Sequence, residues 1–153
     1  NEKCLLENPG MKPKPGFFAY QNLCSVFDSR FKRIDVKHSV KVISTGCFYG
    51  IGSEDDSFPS IPLLANFKSD KGKYLLAYWL PWHPLELIDE AFIDLTIQNI
   101  TFTNPVLVNL LDGKVNEISN FIRGEKETTF KNIPMADYPF VIMEKDDVEL
   151  ETN

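Results

Sequence analysis

Few residues in this chain are spaced to do chemistry. Glu54-Asp55-Asp56 is a carboxylate cluster in a loop rich in Gly and Ser. A calcium loop needs ligands at alternating positions and a glycine at its middle, and both are missing, so the cluster reads as a solvated loop. Asp89-Glu90 has the residue types of a general acid and base, but neighbours on a strand point to opposite faces and cannot flank one glycosidic bond. His38 and His83 are the only histidines, and Cys4, Cys24 and Cys47 form no Cys-x-x-Cys pair. A zinc site is therefore not expected. His38 falls on the apolar side of an alternating segment and is expected in the core. Three cysteines are too sparse for a disulfide scaffold; a Cys4–Cys24 bridge is one option, and buried free thiols are the expected state. No Gly-x-Ser-x-Gly, phosphate-binding loop or dinucleotide fingerprint occurs, so neither a nucleophile–base pair nor a cofactor is expected. The aromatic cluster Tyr78, Trp79 and Trp82, with His83 beside it, could stack on a sugar ring. Large aromatics also dominate sandwich cores, and Trp79 is expected there. Trp82 follows Pro81 and is expected in a loop; Trp82 and Trp79 are the candidate carbohydrate contacts. Asn99-Ile100-Thr101 is a glycosylation sequon, with meaning only in a eukaryotic secretory setting.

The elements that would hold such residues are those of one globular domain. The chain has 153 residues, 43% of them apolar and 25% charged, with net charge −6. That composition excludes a disordered or fibrous chain, and no apolar run approaches the length of a membrane span. An acidic surface makes nucleic acid and anionic membrane poor partners. Charge is uneven: the first forty or so residues are mildly basic, and the chain closes on Asp146, Asp147, Glu149 and Glu151, which reads as a solvated terminus. No targeting segment is visible at the start.

One segment reads as a helix. Pro13 and Pro15 stiffen its first turn, and Tyr20, Leu23, Cys24 and Phe27 recur at helical spacing as one apolar face, which Phe17 and Phe18 extend. The rest reads as strand. Ile34 to Val42 alternates strictly, Leu63 to Phe67 is short, and Tyr74 to Leu80 is apolar on both faces, as a central strand is. Ala91 to Gln98 alternates again. Val106–Leu111 and Lys114–Ile118 flank Asp112-Gly113, a hairpin signal for a two-residue turn with positive φ at both positions. Phe130–Ile133 and Phe140–Met143 complete the set. Short strands without helices between them predict an antiparallel β-sandwich, immunoglobulin-like or jelly-roll-like, preceded by one α-helix.

The order of these segments resembles the C-terminal region of (β/α)₈-barrel glycoside hydrolases. Residues Lys14-Pro15-Gly16-Phe17-Phe18-Ala19-Tyr20-Gln21-Asn22-Leu23 are similar to a Lys-Pro-x-Tyr-Tyr-Ala-x-Gln-Asn-Leu pattern in the last barrel helix. Tyr78-Trp79-Leu80-Pro81 resembles the Tyr-Trp-x-Pro strand of the accessory sandwich that follows. Pro105 to Val115 is similar to its Pro-Val-Leu-Val-Asp-Leu-Leu-Thr-Gly-x-Val hairpin, with Asn109 and Asp112 departing from the pattern. Phe130 to Pro139 is similar to its Phe-x-x-Leu-Pro-x-x-Asp-Tyr-Pro strand. The resemblance covers most of the chain in the correct order.

What the resemblance implies is a division into a terminal helix of an upstream barrel (1–29), a sandwich (30–144) and an acidic tail (145–153). It implies catalytic carboxylates before Asn1 and none in this chain, a helix face of Phe17, Tyr20, Leu23, Cys24 and Phe27 for packing between domains, and export to a periplasmic or extracellular space. The partner expected is the catalytic barrel of the same polypeptide, with polysaccharide or oligosaccharide and self-association through the helix as further expectations. Two other functions compete: a carbohydrate-binding module using exposed aromatics, and an immunoglobulin-like interaction domain.

Overall fold

The computed structural model describes residues 5–7, 9–44, 62–81 and 91–149. Among the described residues one α-helix, α1 (Pro15–Val26), precedes ten strands: β1 (Phe31–Ile34), β2 (His38–Ser44), β3 (Leu63–Ser69), β4 (Tyr74–Trp79), β5 (Ala91–Gln98), β6 (Pro105–Asn109), β7 (Val115–Glu117), β8 (Phe121–Arg123), β9 (Glu127–Met135) and β10 (Phe140–Glu144). They form two sheets, ordered β1-β3-β4-β10-β6-β7 and β2-β5-β9-β8, and every pairing is antiparallel. The fold is a β-sandwich with one helix, as the alternating segments predict.

Two apolar layers follow from strand periodicity. In β5 the buried side chains Ala91, Ile93, Leu95 and Ile97 alternate with half-exposed ones, so a single face meets the core. They join Leu76, Tyr78, Phe130, Phe140 and Ile142 between the sheets. The six-stranded sheet is apolar on its other face as well: Leu75, Ala77, Val106, Val108, Val141 and Met143 are buried there in a second cluster that includes Val26 of α1. Tyr78 is fully buried and donates its hydroxyl to the Pro134 carbonyl at 2.7 Å, while burial pushes its pKa well above the usual phenol value. Pro134 is tolerated within β9 because β8 pairs only with Thr128–Phe130, so among the described residues no strand pairs with Pro134 on that side.

Several expectations are corrected. The alternating stretch Ile34–Val42 is two strands, since the chain leaves the six-stranded sheet after Ile34 and enters the four-stranded sheet at His38. The period survives because Ile34, Val36, Val40 and Val42 all pack against the same core from either side of the crossing. His38 is exposed rather than buried; it stands at the first position of an edge strand, its Nδ1 3.1 Å from the Val36 carbonyl. The β8 strand was not foreseen, because Phe121-Ile122-Arg123 is too short to carry a period. The acidic tail is held, not loose, as far as Glu149. Arg30 grips Glu149 through two hydrogen bonds of 3.1 Å, Lys73 pairs with Asp147, and Val148 packs on the outer cluster.

A bulge in β9 places two residues, Lys131 and Asn132, opposite Asp94 of β5. Asn132 takes a left-handed φ of 52° there, which an asparagine tolerates better than most residues. Asp94 fixes the bulge: its carboxylate accepts from Lys131 Nζ at 2.7 Å and from the Asn132 backbone N–H at 3.0 Å. The Lys131 hydrogen bond, then the Asn132 one, hold the Asp94 pKa below the usual carboxylate value. A carboxylate depressed by folding contributes stability that is full above its unfolded pKa, about 3.9, and lost as pH falls through its folded value. Melting temperature measured from pH 6 down to about pH 2 is therefore expected to fall less for Asp94→Asn than for the parent chain, with the two curves converging at the acid end. Parallel curves would show that Asp94 does not hold the bulge.

Candidate functional site

The helix-bearing face is where the sequence motifs come together. Pro15 opens α1, where a missing N–H costs no hydrogen bond, and the turn closes with Phe27 N–H donating to the Leu23 carbonyl at 2.9 Å. The buried residues of α1 are Asn22 and Val26, one turn apart and so on one stripe. That stripe lies on the outer face of the six-stranded sheet. Val26 enters the apolar cluster, and Phe27 meets the edge of Phe67 at 5.2 Å.

Asn22 meets the β6–β7 hairpin. Its Nδ2 donates to the Leu110 carbonyl at 3.2 Å, a buried contact across 88 residues of sequence. The hairpin loop is shaped to receive it, and here the expected two-residue turn is corrected. The register is Val108↔Val115, the Asn109 N–H donates to the Lys114 carbonyl at 2.9 Å, and the Gly113 N–H donates to the Asn109 carbonyl at 2.8 Å. Four residues, Leu110 to Gly113, thus form the loop, and Gly113 alone among them has positive φ, 73°. The longer loop lets Leu110 bury on the outer cluster, which a tight turn at Asp112-Gly113 would not. Two side chains brace it: Asn109 Oδ1 accepts from the Leu111 N–H at 2.9 Å, and Asp112 Oδ1 from the Lys114 N–H at 3.1 Å. A Cβ on Gly113 would lie 3.0 Å from Asn22 Oδ1, so this position needs glycine both for its backbone angle and for the helix to approach.

The apolar helix face read from the spacing is turned the other way. Successive residues advance about 100° around a helix, so Tyr20 and Cys24, two places from Asn22, point away from the sheet. Tyr20 is 57% exposed and Leu23 38%. Cys24 is a free, exposed thiol, which corrects its expected burial; Cys4 and Cys47 lie outside the described residues. Phe17 is half-buried and meets Phe18 edge-on at 5.6 Å, and Phe18 is partly exposed. Phe27 is the one member of the expected face that packs on the sheet. Asn22 was not foreseen as a contact, because a polar residue in a helix reads as solvated; the signal was its place between Gln21 and Leu23 in the helix motif.

Among the other candidates, Trp79 is half-buried on the same outer face, opposite exposed Leu63 in the register of β3 and β4. Trp82, His83, Asp89-Glu90 and Glu54-Asp55-Asp56 lie outside the described residues. Among the described residues no three His, Cys, Asp or Glu side chains gather as metal ligands, and no helix is long and apolar enough to cross a membrane. The chain matches no protein-family model, and a search of curated proteins returned no match.

Removing Asn22 leaves the buried Leu110 carbonyl without its donor, so Asn22→Ala is expected to destabilise the chain by about 1–2 kcal/mol in urea unfolding. Gly113→Ala is expected to cost at least as much through backbone strain and the clash with Asn22. In the Asn22→Ala background the clash is gone, so Gly113→Ala should cost about 0.5–1 kcal/mol less there. Strict additivity would mean that the two residues do not meet.

Proposed function

We propose that this chain is a non-catalytic accessory β-sandwich of a glycoside hydrolase, packing on and stabilising a catalytic barrel of the same polypeptide. The observation that carries this reading is the two-sidedness of α1. One stripe, Asn22 and Val26, is committed to the sheet, while Tyr20, Leu23 and Cys24 are presented to solvent. Exposed apolar groups gathered on one side of a rigidly seated helix are the usual mark of a contact with another surface. The motif that supplies both stripes is the one resembling the last helix of a barrel, so a barrel is the surface that fits.

The sandwich contributes support in this reading, and the reaction belongs to the barrel. The purified chain is expected to leave aryl glycosides uncleaved; turnover abolished by replacing one of its own carboxylates would overturn the proposal. In a polypeptide joining barrel and sandwich, Tyr20→Glu with Leu23→Glu should place unpaired charge in the contact. The half-life of glycosidase activity on heating is expected to shorten by about tenfold. The same pair of changes should leave the melting temperature of the sandwich alone nearly unchanged, since both side chains are exposed there. An unaltered half-life would mean that this side of the helix carries no barrel.

A further inference from the structure

The described end of the chain is held by side chains rather than by backbone. The Lys145 N–H donates to the Asn104 carbonyl at 2.9 Å, and beyond it the Val148 N–H bonds only within its own turn, to the Lys145 carbonyl at 3.3 Å. Among the described residues no backbone–backbone hydrogen bond joins 146–149 to another element. A segment tied in this way is seated as a peptide ligand is, and it detaches without breaking a sheet.

Three consecutive side chains of that segment each meet a matching partner. Asp147 pairs with Lys73 and is only 9% exposed. Val148 packs on the outer apolar cluster, as Phe27, Phe31 and Phe67 do. Arg30 donates to Glu149 from Nη1 and from Nη2, both at 3.1 Å. Arg30 is itself held in place by Asp28, which accepts from its Nε at 2.5 Å and from its backbone N–H at 2.7 Å. A planar guanidinium gripping both oxygens of a carboxylate selects by geometry as well as charge.

The arrangement sorts side chains by position. A base in place of Asp147 would be pressed against Lys73 where little water screens it. Lys71 adds a third cation, on the wall of a cavity of about 240 Å³ that Arg30, Lys73, Asp147 and Glu149 also line. Asp70, an acid on the same wall, is paired with Lys32 at 3.1 Å. We propose that this edge of the sandwich is a receptor for a short peptide of the pattern acidic–aliphatic–acidic. The chain's own Asp147-Val148-Glu149 fills it in this structure and so shuts it against other peptides of that pattern. The tether holds the resident segment at an effective concentration on the order of 1 mM or above, so a free peptide enters readily only when the resident is weakened. The site uses none of Tyr20, Leu23 and Cys24 and does not rest on the barrel contact.

The test follows the amide shifts of ¹⁵N-labelled full-length chains titrated with the acetylated and amidated peptide Lys-Asp-Asp-Val-Glu-Leu, which copies residues 145–150. Asp147→Lys with Glu149→Lys sets the resident segment against Lys73 and Arg30 and empties the site. In that released variant the peptide is expected to move the amides of residues 29–31 and 69–73 with half-saturation at about 1 mM, and to need at least about tenfold more in the parent chain. Adding Arg30→Gln to the released variant should weaken binding by about tenfold, and a peptide with Asn and Gln in place of its acids should leave the amides unmoved. The amides of β5 and β9 report that the fold is kept. If the charge reversal unfolds the chain, Asp147→Asn with Glu149→Gln serves as the released variant, with the same order of affinities expected. The proposal is overturned if the released chain does not respond up to about 10 mM peptide, if the parent responds as readily, if Arg30→Gln changes nothing, or if the uncharged peptide binds as well as the acidic one.

Discussion

Asn22 Nδ2 reaches the Leu110 carbonyl at 3.2 Å, and the outer side of the six-stranded sheet is organised around that contact. The face carries Leu75, Ala77, Val106, Val108, Val141 and Met143, an apolar area that water would penalise if left bare. A 12-residue helix has little stability of its own and needs a fixed seat. The hairpin loop supplies it. Leu110 turns its side chain onto the sheet and its carbonyl toward the helix, and Gly113 leaves room for the amide to approach. One buried hydrogen bond adds only about 1 kcal/mol, so its importance is geometric: it fixes which side of the helix is left facing out.

The two outer faces of the sandwich differ accordingly. On the four-stranded sheet, Asp94, Thr96 and Gln98 of β5 bond to Lys131, Thr129 and Glu127 of β9, so the middle of that face is held by polar pairs, with Ile122 of β8 exposed beside them. The six-stranded sheet has the helix, and beyond the helix a further apolar side. The described residues are thus layered: four-stranded sheet, core, six-stranded sheet, outer apolar cluster, and the helix with Tyr20, Leu23 and Cys24 exposed. The Arg30–Glu149 pair is exposed and therefore screened, so it adds mainly placement, whereas Asp147, with its side chain only 9% exposed, pairs with Lys73 in a largely buried setting.

Period-two patterns made much of this legible. The alternation of β5 and the two-sided apolarity of β4 follow directly from side-chain spacing, and both strands lie where those patterns put them. What escaped were features decided by distant partners. The break after Ile34 leaves the alternation intact, because both strands face one core. The bulge at Asn132 depends on a carboxylate in another strand. The loop at Asp112-Gly113 is longer than its dipeptide signal because Leu110 is drawn to the sheet. The helix was the instructive case: its apolar spacing marked the outward side, while the inward side is set by Asn22, whose partner is 88 residues away.

The central claim is that α1 is seated on this sandwich as part of its core, with its other side presented outward. Native-state hydrogen exchange of the whole chain tests it most directly. If the claim holds, the amides of residues 20–26 open only with the sheet, and their protection matches that of β4 and β10 to within about tenfold. Exchange of those helix amides at rates near an unfolded peptide, while β4 and β10 stay protected, would contradict it.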